Sequence, residues 1–192
     1  MSVSQGARSR AHSQCSNTDV CCCVAARAVL QENSRKRNGK YSPDSRDKFS
    51  FGRSLFLSHL ATYRTLEALV DHLSADKPLF LLFHDSRSDI KSLAQLGLNV
   101  SLWQHGLARL DGRPGPRGAR GAGVYVVDTQ KLWAAFIGEK RQVGLGRCCE
   151  LLGIGTADLH NAGNDAHFTL EIFERMMDRA LKVPEGAVAP KP

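Results

Sequence analysis

The sequence lacks the patterns that would make it a zinc finger, a disulfide scaffold or a membrane protein. Its six cysteines stand at positions 15, 21, 22, 23, 148 and 149, and no two are spaced as a CxxC pair. That excludes the common zinc-binding arrangement. Neighbours such as Cys148 and Cys149 rarely build a disulfide framework, so reduced thiols in an intracellular protein are expected. No apolar run approaches the roughly 18–20 residues of a membrane span. The most tempting stretch, "VCCCVAARAVL", is interrupted by Arg27. No membrane partner is expected. Acids are absent from the first 18 residues, which hold Arg8, Arg10 and five serines. That composition permits a mitochondrial transit peptide without establishing one. Aromatic residues are few, at 7%. The hydrophobic fraction of 42% still suits a globular chain better than a disordered one.

What is present is a chain of 192 residues, enough for one domain with tails. Its net charge of +7 is unevenly placed. Residues 1–48 carry nine Lys/Arg against four Asp/Glu, and residues 105–123 carry four Arg against one Asp. The remainder is close to neutral. The basicity therefore belongs to a tail and a loop, where it suits contact with nucleic acid or plain solvation. "RKRNGK" has the composition of a nuclear localisation patch, a nonspecific signal.

Composition and periodicity divide the chain. Residues 1–48 read as a basic, disordered tail, and 183–192 as a flexible one. From 49 to 182 the pattern tightens into a domain. "LSHLATYRTLEALVDHLS" carries a helical stripe with Ser58 as N-cap, broken at Lys77-Pro78. "LFLLFH" (79–84) suits a strand buried on both faces. "SDIKSLAQLG" (88–97) predicts a helix closed by Gly97. "NVSLW" predicts a short strand. "HGLARLDGRPGPRGARGAG" (105–123) is a Gly/Pro/Arg loop. "VYVVD" (124–128) predicts a second buried strand, followed by helices at 129–137, 145–153 and about 161–181. Alternating buried strands and helices indicate α/β with parallel strands. Two or three strands make a thin sheet. Either residues 1–56 add strands whose pattern is illegible, or part of the domain is missing.

Two carboxylates sit where the helices should bury their surface. Each helical residue advances by about 100°. Asp165 is therefore in line with Thr169, Ile172 and Met176, and Asp89 with Leu93 and Leu96. Open α/β sheets place their sites near the carboxyl edge, where both helices should begin. A buried carboxylate costs several kcal/mol unless paired or bound to a cation. Capping and the helix dipole account for either residue alone. Both together, with Asp128 at a strand end, suggest a shared site for divalent metal. His160, five positions before Asp165, could reach that site as a general base.

The segments "LFHDSRSDIKSLAQLG", "VVDTQKLWAA", "KRQVGLGRCCELLGI" and "LHNAGNDAHFTLEIF", in this order, resemble the fungal DEDDh 3′–5′ exonuclease-like family of the ribonuclease H-like superfamily. That family includes an argonaute-interacting exonuclease of RNA silencing and a factor linked to messenger RNA export. The resemblance covers about residues 49–181. It implies a ribonuclease H-like α/β fold and hydrolysis of nucleic acid with two Mg2+ or Mn2+ ions about 3.5–4 Å apart. Carried over, Asp89 and Asp165 are metal ligands and catalytic acids, and His160 is the base that activates water. Asp85 and Asp128 take supporting positions. The family's first motif, D-x-E on an early strand, is not found anywhere before Asp89. The antiparallel strands that carry it are not legible either, so the N-terminal strands are expected to be incomplete.

Three functions follow as expectations. The first is an active exonuclease. The second is a catalytically inactive pseudonuclease that binds RNA or single-stranded DNA, with Arg113, Arg117 and Arg120 of the RGG-like loop tracking phosphates. The third is an interaction module for an argonaute-like or mRNA-export protein, which rests on family analogy alone. A nuclear or cytoplasmic location is expected.

Overall fold

The computed structural model describes residues 26–33, 35, 44–105, 123–138 and 141–181. Its first elements are strands β1 (Ala26–Leu30) and β2 (Arg53–Leu57), paired in parallel with Ala26 opposite Arg53 and Leu30 opposite Leu57. Residues 26–30 fall inside the segment expected to be a tail, so that expectation is corrected there. The pattern was illegible because the strand alternates only weakly, and Ala26 and Ala28 remain exposed.

Helix α1 (His59–Ser74) begins where expected. The Ser58 side chain accepts from the Ala61 N–H, which caps the first turn. After the break at Pro78, β3 (Leu79–Phe83) leads into α2 (Ser86–Leu96). Gly97 ends α2 in the left-handed conformation, at φ 111°, where an L side chain would be strained. The expected strand over "NVSLW" is a correction. Val100–Leu102 forms a 3-10 turn, closed by the Trp103 N–H donating to Val100 O, and Trp103 is buried beside Leu98 and Val126. Seating the indole outweighed the β-propensity of a short stretch. Strand pairing begins only at β4 (Gln104–His105), followed by β5 (Val124–Asp128).

Strands β3, β5 and β4 form a second parallel sheet in that order, with β5 central. The central strand is the most buried: Tyr125, Val126 and Val127 are all closed off from solvent. Edge strand β3 leaves Phe80 exposed, which corrects the expectation of burial on both faces. Every described strand pair is parallel, as expected for helix-linked strands. The chain is α/β, and the antiparallel strands are not present among the described residues.

Two cores sandwich the second sheet. On one face Val124 and Val126 pack with Tyr63, Leu66 and Val70 of α1 and with Ile90 and Leu93 of α2. The other core joins α3 (Thr129–Ile137), α4 (Leu145–Leu152) and α5 (Ala162–Leu181) through Trp133, Cys149, Leu152, Phe168, Ile172 and Met176. Cys148 and Cys149 are free and fully buried. Burial pushes their thiols up to about 12 and about 11 respectively, so they act as small apolar core residues and not as nucleophiles. None of the described helices is long and apolar enough to cross a membrane.

Candidate functional site

Helices α2 and α5 both begin beside the carboxyl end of β3. Between them lies a cleft of about 570 Å3. Its walls include His84 and Asp85 after β3, Ser88, Asp89 and Ser92 on α2, and Ala162, Asp165 and Thr169 on α5. The cleft lies at the strand-end position that open α/β sheets use for ligands.

Asp165 stands where the helical stripe placed it. Thr169, Ile172 and Met176 below it are buried, and Asp165 is half-buried. Its Oδ1 accepts the main-chain N–H of His160 at 3.1 Å. Partial burial raises its pKa above the ordinary aspartate range, and that hydrogen bond with the nearby His160 opposes the rise. Asp89, more open to solvent, lines the opposite wall. Desolvation in the cleft raises its pKa, reinforced by the charges of Asp85 and Asp128. Asp85 also lines the cleft and forms an exposed ion pair with Arg87 at 3.8 Å.

The structure thus brings Asp85, Asp89 and Asp165 together, and treats the other expected residues differently. His160 adopts φ 67° and offers Asp165 its main chain; it is not among the residues lining the cleft. The histidine in the cleft wall is His84, which the sequence reading passed over. A polar residue closing the apolar run "LFLLFH" was the available signal. Its Nε2 contacts Val143 O at 2.9 Å and its Nδ1 contacts Thr129 Oγ1 at 3.0 Å. Asp128 lies behind the cleft with its side chain nearly buried. Arg113, Arg117 and Arg120 lie outside the described residues.

Two further residues of "LHNAGND" were missed. Asn161 and Asn164 are fully buried and tie the segment before β2 to the start of α5. Asn161 Nδ2 donates to Ser45 O and Arg46 O, at 2.7 and 3.1 Å. Asn164 Nδ2 donates to Lys48 O and Asp158 O, while its Oδ1 accepts from the Ser50 N–H. Gly163 lies between them because a Cβ there would come within 2.5 Å of the Phe49 ring.

Among the described residues no group of three or more His, Cys, Asp and Glu side chains converges to hold a metal ion. Asp85, Asp89 and Asp165 share a cleft without converging, which falls short of a two-ion centre. The donor set of the described residues does not fit that centre.

Comparison with known proteins places the sequence in a family. A family model described as the DNA polymerase III subunit epsilon-like, C-terminal domain (DEDDh_C) matches residues 6–176. The chain is similar to the uncharacterized protein YDR514C of Saccharomyces cerevisiae, 29% identical over 83% of this chain and 34% of that protein. It is also similar to the Good for full DBP5 activity protein 2 of the same yeast, 29% identical over 78% of this chain and 28% of that protein. An uncharacterized nucleolar protein, C2C4.08, of Schizosaccharomyces pombe is 28% identical over 74% of this chain and 52% of its own length. The chain therefore spans about a third of the two budding-yeast relatives and about half of the fission-yeast one. No solved structure matches it. With the match running from residue 6 through Asp89 and Asp165 to 176, the chain belongs to the DEDDh family of DNA polymerase III epsilon-like C-terminal domains.

Proposed function

We propose that this chain is a nucleic-acid-binding domain of the DEDDh 3′–5′ exonuclease family, with a ribonuclease H-like arrangement of its C-terminal part. In this reading it engages single-stranded RNA or DNA at the end of β3 without hydrolysing it. The observation that carries the reading is the cleft itself. Two helix starts bring Asp89 and Asp165 to one strand end beside Asp85, and among the described residues no three such side chains converge to hold a metal ion. Burial raises the pKa of both carboxyls, and Asp85 and Asp128 add to the rise at Asp89, so the cleft favours a bound group that offsets its negative charge. Arg113, Arg117 and Arg120, in the segment between β4 and β5, supply the phosphate contacts in this proposal.

One observation favours a second reading, active two-metal hydrolysis with Mg2+ or Mn2+. Asp89 and Asp165 remain opposite each other across one cleft. The two readings separate in one experiment with a labelled single-stranded RNA and its DNA counterpart. Binding that weakens with salt, with no nucleotide released in Mg2+ or Mn2+, is expected. Release abolished by Asp165→Ala would establish the hydrolytic reading instead. A nuclear location and an mRNA-export partner complete the proposal, drawing on a relative described as nucleolar and on another named for full DBP5 activity. An argonaute-like partner rests on the family resemblance alone.

A further inference from the structure

Asp128 and Thr129 are consecutive, and between them they hold four consecutive residues of the β3–α2 turn. Asp128 Oδ1 accepts the N–H of Asp85 at 3.3 Å and that of Gln130 at 3.1 Å. Asp128 Oδ2 accepts the N–H and the hydroxyl of Ser86, at 3.1 and 2.9 Å. Burial alone would raise this carboxyl. The donors from Ser86, Asp85 and Gln130 outweigh burial and hold it below the usual aspartate range. Thr129 is fully buried; its hydroxyl donates to Phe83 O at 2.9 Å and lies 3.0 Å from His84 Nδ1. The same His84 ring reaches Val143 O on the segment before α4.

We propose that Asp128 and Thr129 act as a lock that sets where α2 begins and thereby holds Asp89 in the cleft. Two facts make the turn need one. Asp85 has φ 62°, a left-handed conformation that a non-glycine residue keeps only when its surroundings enforce it. Asp89 lies one turn beyond Ser86, so shifting the helix start by a single residue would swing its carboxylate by about 100°, away from Asp165. One carboxylate caps two helices, α3 through Gln130 and α2 through Ser86. It also occupies the anion position at the N-terminus of α2. Asp128 and Thr129 are positioning residues, and the importance of what they position rests on the nucleic-acid reading above.

Amide hydrogen exchange with carboxyl titration by NMR tests the lock. In Asp128→Ala and in Thr129→Val, the amides of Ser86, Asp89 and Ile90 are expected to exchange about tenfold faster, while those of Ile172 and Met176 change far less. Asp128→Asn keeps one acceptor and should fall between wild type and Asp128→Ala. Thr129→Val leaves the Asp128 charge in place, so a fall in the Asp89 titration midpoint in that variant reports displacement of Asp89 itself. Uniform acceleration across the chain, or an unmoved Asp89 in Thr129→Val, would reduce the pair to general stabilisers and overturn the lock. Binding of wild-type protein to labelled oligouridylate is measured separately. Its absence, with local exchange behaving as expected, would remove the nucleic-acid reading and leave the lock standing.

Discussion

Asp165 and Asp128 show how one residue type acquires opposite electrostatics from its surroundings. Asp165 has one main-chain donor and partial burial, so its folded-state pKa is raised. The folded state then loses stability as pH climbs from the ordinary aspartate range through that raised value. Asp165→Asn removes this loss and keeps an acceptor for the His160 N–H. It is expected to raise the melting temperature at pH 7 by about 1–3 °C, discounted for partial exposure. The gap should close as pH falls to the ordinary aspartate range. A pH-independent gap in melting curves would mean that packing, not charge, is responsible. Asp128 behaves inversely: its lowered pKa contributes stability above the ordinary aspartate range, which is lost as pH falls through the lowered value.

At the scale of elements, α5 is held at two places. Its C-terminal two-thirds bury Ile172 and Met176 against α4 and α3, a contact that the helical periodicity anticipated. Its first turn is held by Asn161 and Asn164, which bind main-chain groups over a hundred residues earlier. Periodicity could not reveal that, because a hydrogen bond to a distant backbone leaves no local pattern. Asn164→Ala would strand the Ser50 N–H, the Lys48 carbonyl and the Asp158 carbonyl. A loss of about 2–4 kcal/mol in urea unfolding is expected. A loss below about 0.5 kcal/mol would show that water replaces the amide and that Asn164 does not tie Lys48 and Ser50 to α5. The turn at Val100–Leu102 illustrates the same limit. "NVSLW" has strand propensity, but burying Trp103 beside Leu98 decided its shape.

For the molecule as a whole, net charge is unevenly placed along the chain. The cleft is acidic, and the excess positive charge lies in residues 1–48 and 105–123. If the Arg-rich segment tracks phosphates, replacing Arg113, Arg117 and Arg120 together with glutamine should weaken single-stranded RNA binding at least tenfold. The slope of log affinity against log salt should also flatten by about 2, since each lost phosphate contact on a single strand removes about 0.7. Fluorescence anisotropy across a salt series measures both. An unchanged slope would assign the contacts to another basic segment.

The sequence by itself determined the helices of the C-terminal half, the buried strand Val124–Asp128 and the alignment of Asp165 with Thr169, Ile172 and Met176. These follow from local periodicity, which needs no partner to be read. The four ordered segments were also enough to indicate the family. Only the tertiary structure decided that Ala26–Leu30 pairs with Arg53–Leu57, that Asp89 and Asp165 face one cleft, and that His84 lines it where His160 does not. The same holds for Asp128, which the sequence offered as part of a shared acidic site. In the fold its carboxylate is held by main-chain N–H groups of two helix starts and by the Ser86 hydroxyl. Each of these outcomes depends on which distant groups meet, and chain separation erases that information from any local pattern.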